Sequence, residues 1–236
     1  MTKKAIIFGS IGTIVETSQM QLDAFNMAFA EAGLDWRWSR EVYIPMLAKS
    51  GGEARIRRYA EEHDTDVDAA ALHKRKTALF DDMMVERGLA PRPGVLELVH
   101  FAKENEMKVG FASTTSRNNI LAIFEALHGA LHRSTFDFLG DADRVTMSKP
   151  NPEIYQLAMD ELGVTASECL AIEDTPVSLK AAKAADIECV GFPGDFIDPN
   201  SFDDEISIVR NVHPEHIAAL HENEDAEDAE QTRLAS

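Results

Sequence analysis

Cations are scarce in this chain: 23 lysines and arginines stand against 41 aspartates and glutamates, for a formal net charge of −18. A surface this acidic repels phosphate backbones, which argues against a nucleic-acid partner. Long hydrophobic runs are missing too. No stretch approaches the roughly 18 apolar residues that a membrane span needs, so no membrane partner is expected. Cysteine is confined to Cys169 and Cys189. Each lies in a β-like apolar run, and their spacing offers no metal-site pattern. Buried free thiols in a reducing cytoplasm are the expectation. The few residues ahead of the first apolar run are too short for a signal peptide.

What is present is ordinary for a globular protein. The 236 residues are 44% hydrophobic and 27% charged, enough for one large domain or a core with an insert. Part of the negative charge sits in Glu222-Asn-Glu-Asp-Ala-Glu-Asp-Ala-Glu230. Residues 222–236 therefore read as a solvated, disordered acidic tail, where a protein partner is the alternative to a bare charged end.

The pattern along the chain alternates. After an apolar run at residues 5–8, residues 17–32 carry Leu22, Phe25, Phe29 and Ala32 on one helical stripe. Residues 36–88 are helical in pattern without a strand. Pro91-Arg92-Pro93-Gly94 marks the return to mixed sequence. Helices are expected over residues 95–104, 116–127, 152–162 and 177–185. Strands are expected over 108–112, 136–139, 169–172, 188–192 and, briefly, 206–209. Strand–helix alternation predicts an α/β fold with a parallel, doubly wound sheet. The divisions are a core of residues 1–17 and 90–221 and an all-helical insert of residues 18–89.

Ligands of such sheets bind at the carboxyl ends of the strands, and four of these ends are informative. Gly9-Ser10-Ile11-Gly12-Thr13 follows the first strand. A hydrolase using that loop needs a carboxylate nucleophile first and a second acid two residues later, but Gly9 and Ile11 stand there. Neither can attack, ligate a metal or move a proton. Ser10 is expected to point away from position 9, since neighbours leaving a strand alternate. Ser113-Thr114-Thr115-Ser116 offers hydroxyls and backbone N–H groups to a phosphate oxygen, although a helix N-cap explains the same residues. Lys149, followed by Pro150 and Pro152, is either a point charge for a phosphoryl group or a surface lysine. Glu173 and Asp174 are oxygen ligands for Mg²⁺ or partners of a helix dipole. His128 and His132 have i,i+4 spacing but no third ligand.

Together with Glu16-Thr17, Ala24-Phe25-Asn26, Gly33-Leu34-Asp35-Trp36, Ser50-Gly51-Gly52, Arg55-Ile56, Ile154-Tyr155 and Ala181-Ala182-Lys183, these motifs resemble the haloacid dehalogenase-like superfamily. Within it they are most similar to the CbbY-like branch of sugar-phosphate and sugar-bisphosphate phosphatases. The resemblance implies a Rossmann-like core with an inserted helical cap. It implies that Ser113, Thr114 and Lys149 hold phosphate, and that Glu173 and Asp174 hold Mg²⁺. It further implies that Glu16, Gly51, Gly52 and Arg55 serve the substrate and cap. It places Gly9 at the nucleophile and Ile11 at the acid/base. Gln21 stands where relatives carry a histidine and Glu53 where a lysine is usual. The expectation is a homologue that binds free phosphate or a small phosphorylated metabolite without turnover. Its Mg²⁺ would be held only weakly, and like-charge repulsion beside Lys149 would be relieved. A hydrolase with a rebuilt mechanism and a structural or regulatory partner protein are the alternatives.

Overall fold

Strand β1 (Ala5–Phe8) is apolar and buried at every position, the pattern of a central strand in a parallel sheet. The structure is a computed structural model describing residues 3–47, 51–203 and 205–215. Ser50 and the acidic stretch 222–236 lie outside the described residues. β1 pairs in parallel with β2 (Lys108–Ala112) and β4 (Cys169–Glu173), placing Ile6 between Val109 and Leu170. With β3 (Phe138–Gly140), β5 (Glu188–Gly191) and β6 (Ser207–Ile208), the sheet order is β3-β2-β1-β4-β5-β6, every pair parallel. That is the doubly wound order of a Rossmann-like fold, which gathers loops at the carboxyl end of β1.

Helices α1 (Ile11–Ile14), α6 (Val95–Glu104), α7 (Arg117–Ala126), α8 (Glu153–Leu162) and α9 (Pro176–Lys183) belong to this core. Between β1 and α6 the chain forms α2 (Ser18–Glu31), α3 (Arg40–Met46), α4 (Gly52–Glu62) and α5 (Ala69–Arg87). Two compact units result, Met1–Glu16 with Ala90–Ser236 and Thr17–Leu89. The second is an inserted helical unit with no strand among the described residues.

In the core, Ile7, Ala112, Phe138, Ile154, Tyr155, Ala158 and Leu179 pack into one apolar cluster. Phe8, Phe111, Phe124 and Phe136 form an edge-on aromatic group with centroids 5.3–6.3 Å apart. Phe136, read from sequence as strand, instead follows a 3-10 turn and packs into that group, so β3 starts two residues later. Each buried large apolar side chain contributes about 1.5–3 kcal/mol. In the insert, Trp38 is 1% exposed and contacts Phe25, Phe29, Tyr43 and Tyr59. The Asn26 side chain accepts from the Trp38 N–H and donates to its carbonyl, fixing the segment that holds the indole.

Burial pushes both thiols, Cys169 and Cys189, up to about 12, so they act as small apolar groups. His128 lies beyond the end of α7 with φ +48°; it does not share a helical face with His132. Among the described residues, no helix is long and apolar enough to cross a membrane.

Candidate functional site

The carboxyl ends of β1, β2 and β4 build a cleft within the core unit. After β1, the Gly9 N–H donates to the Ile172 carbonyl at 3.0 Å, so the ladder with β4 runs one residue past the strand. The chain then turns into α1. The Thr13 hydroxyl donates to the Ser10 carbonyl at 2.6 Å and braces the turn. Ser10 Oγ donates to Asp174 Oδ1 at 2.7 Å. Contrary to the expectation from strand alternation, this hydroxyl therefore reaches into the site, because the backbone has already left the strand.

After β2, Ser113 Oγ accepts from the Thr115 N–H at 3.2 Å. The helix cap is Ser116, whose hydroxyl accepts from the Asn119 N–H at 3.3 Å. The capping role that the sequence left open for Ser113 or Thr114 thus belongs to Ser116. An open cleft of about 390 Å³ is lined by Gly9, Ser10, Ile11, Gly12, Ser113, Thr114, Lys149 and Asp174, among others. Ile11 borders this space, half-buried.

Lys149 is no surface lysine. Its side chain is only 5% exposed and its ammonium donates to the Gly9 carbonyl at 2.6 Å, the Tyr155 hydroxyl at 2.8 Å and Glu173 Oε1 at 2.9 Å. Glu173 is fully buried, and its second oxygen has no hydrogen-bond partner. A Cβ placed on Gly9 would collide with that carboxylate. Glu173 therefore occupies the volume a side chain at position 9 would take. The expected relief of like-charge repulsion is corrected accordingly, because a carboxylate still sits beside Lys149. Burial pushes Glu173 up to about 7, while Lys149 pulls the other way. Burial also raises Asp174, against the hydrogen bond from Ser10.

Two neighbours complete the frame. Arg92 donates to the carbonyls of Gly12, Phe192 and Pro193 at 2.6–2.8 Å, tying the loop after β1 to the end of β5. The sequence reading used the Pro-Arg-Pro-Gly string only as a boundary; a cation held between two prolines was the signal it missed. Glu16 Oε2 accepts from the Asp195 N–H at 2.8 Å.

The helical insert carries its own cationic cluster. Gly51 precedes α4 with φ +95°, a backbone region where glycine is at ease. At Gly52 a Cβ would meet the His73 ring. Arg55 is buried, donates to the Met46 carbonyl at 3.3 Å and lies over the Tyr43 ring at 5.2 Å. Lys76, which the sequence reading passed over, is 6% exposed, hydrogen-bonds Gln21 and lies 4.9 Å from the Phe25 and Phe80 ring centres. Burial, with Arg55 nearby, lowers it to about 8.

Comparison with known proteins agrees with this architecture. A family model described as haloacid dehalogenase-like hydrolase matches residues 3–186. Protein CbbY of Cereibacter sphaeroides is 38% identical over 194 residues, covering 81% of this chain and 84% of that protein. The crystal structure of CbbY from Rhodobacter sphaeroides in complex with phosphate superposes with a TM-score of 0.76 at 35% identity, covering 89% of this chain and 95% of that one. An Asp-to-Asn variant of the same protein, in complex with xylulose-(1,5)bisphosphate, matches with the same TM-score, identity and coverage.

Proposed function

We propose that this chain, which belongs to the haloacid dehalogenase-like hydrolase family, binds phosphate or a phosphorylated sugar in its core cleft without hydrolysing it. The observation that carries this reading is at position 9. Gly9 brings no nucleophile, and the space a side chain there would take is filled by Glu173, a buried acid paired with Lys149. Nucleophilic catalysis needs an exposed, activated group, and Ile11 supplies no proton to a leaving oxygen. Binding needs less. The Ser113 and Thr114 turn and the Lys149 ammonium suffice to recognise a phosphoryl group. The relative CbbY was crystallised with phosphate, and its Asp-to-Asn variant with a sugar bisphosphate, which supports a ligand of this class without requiring every aspartate.

The family resemblance implies Mg²⁺, which is usually held by one or two carboxylates plus substrate phosphates. The donors here make a weak site at most. Glu173 is committed to Lys149 and Asp174 Oδ1 to Ser10. Among the described residues, no three His, Cys, Asp or Glu side chains are grouped to share a metal. Asp174 alone leaves a weak site. On this reading phosphate binding depends little on Mg²⁺.

A second reading keeps turnover. The Ser10 hydroxyl, hydrogen-bonded to Asp174 inside the cleft, is a group through which a rebuilt mechanism would run. One assay separates the two: sugar phosphates with Mg²⁺, presented to this chain and to Gly9→Asp/Ile11→Asp. Turnover confined to the double variant is the expected result. Mg²⁺-dependent turnover by the unaltered chain, abolished by Ser10→Ala, would establish the second reading instead.

A further inference from the structure

The geometry points to Glu173 as an internal anion that competes with phosphate for Lys149 and thereby sets the affinity of the core cleft. This role rests on the phosphate-binding reading above. An ammonium has three donors, and those of Lys149 are all engaged, by Gly9, Tyr155 and Glu173. Two of these partners are neutral. Glu173 is the one acid among them, an anion above about pH 7, and an entering phosphate oxygen gains most by taking its place. The acid holds its position only because residue 9 is glycine, since any Cβ there would drive the carboxylate out. It is also imperfectly satisfied, with Oε2 buried and unpartnered, so it gives up one hydrogen bond when displaced. Asp174 is the other carboxylate at this spot and is held by Ser10. One cation therefore faces two acids, and neutralising Glu173 leaves one of each. The result is a cleft whose attraction for phosphate is attenuated from within by the residue that fills the place of the missing side chain.

Calorimetric titration of inorganic phosphate into the full chain and its variants, buffered above pH 7 where Glu173 is an anion, tests this. Glu173→Gln keeps the shape and removes the charge, and should tighten phosphate binding by about tenfold or more, the effect of one close charge at a partly screened site. The gain should vanish in Glu173→Gln/Lys149→Ala. Gly9→Ala tests the same contact from the other side, because its methyl group displaces the carboxylate from Lys149. It should also bind phosphate more tightly, and it carries the comparison should Glu173→Gln fail to fold. Binding that Lys149→Ala weakens but that neither Glu173→Gln nor Gly9→Ala tightens would overturn the competition and leave the phosphate-binding reading standing. No binding at millimolar phosphate by the chain or any variant would overturn both.

Discussion

Lys149 and Glu173 form a buried pair, with side chains 5% and 0% exposed, and at such a site the loss of one partner outweighs the worth of the pair. Above about pH 7, where Glu173 is ionised, Lys149→Ala leaves a carboxylate with no counter-charge, and the expected loss there is about 3–5 kcal/mol in urea unfolding. Lys149→Met/Glu173→Leu should recover most of it, because apolar replacement of both groups removes the desolvation penalty as well. The pH dependence has a definite sign. Glu173 is raised from 4.5 to about 7 in the folded chain, so the folded state holds this proton more tightly than the unfolded one. The stability contributed by the neutral acid is present below 4.5 and is lost as pH rises through about 7. Without Lys149 the folded acid is raised further, so above about 7 the parent stops losing stability while Lys149→Ala goes on losing it. The deficit should therefore be flat between 4.5 and about 7 and widen above about 7. A deficit independent of pH would show that Glu173 is not the group left behind.

Short polar strings at helix starts carry two meanings at the scale of the element, and the chain separates them by register. Ser116 caps α7 through Asn119, whereas Ser113, three residues earlier, closes on Thr115 and lines the cleft. Ser116→Ala should cost about 1 kcal/mol of stability with phosphate affinity unchanged. Ser113→Ala should weaken phosphate binding by about tenfold, the worth of a hydrogen bond to a charged group. Equal effects of the two on affinity would mean that the turn acts as a whole and no single hydroxyl is a ligand. The sequence could not make this division, because Ser and Thr suit both roles. The helices themselves were legible. The stripe Leu22, Phe25 and Phe29 anticipates the buried face of α2, and the apolar run of β1 anticipates a strand covered on both faces. Phe136 was misplaced because an aromatic beside a strand reads like part of it, while its packing against Phe8 and Phe124 depends on residues far along the chain.

For the molecule as a whole, the sequence disclosed what is absent from the site but not what replaces it. Gly9 and Ile11 announce lost groups by identity alone. The arrival of Glu173 in the space at position 9 is a tertiary fact with no local signature. Lys76 is a different kind of omission, since it lies four residues after Leu72 and four before Phe80 on the apolar stripe of α5, and helical spacing alone marks it as buried. Its ammonium has Gln21 and two aromatic faces for company, and burial lowers it from 10.5 to about 8. For a base lowered on folding, the unfolded chain binds the extra proton, so stability rises with pH between those two values. Lys76→Met has no such proton to lose. The stability difference between this variant and the parent should shift in the parent's favour by about 3 kcal/mol across that range, at about 1.4 kcal/mol per pH unit. Measuring the difference, rather than the parent alone, cancels the ionisation of tyrosines and other lysines common to both chains. A constant difference would mean that Lys76 reaches water in the folded chain and that the insert has no buried cation at this place.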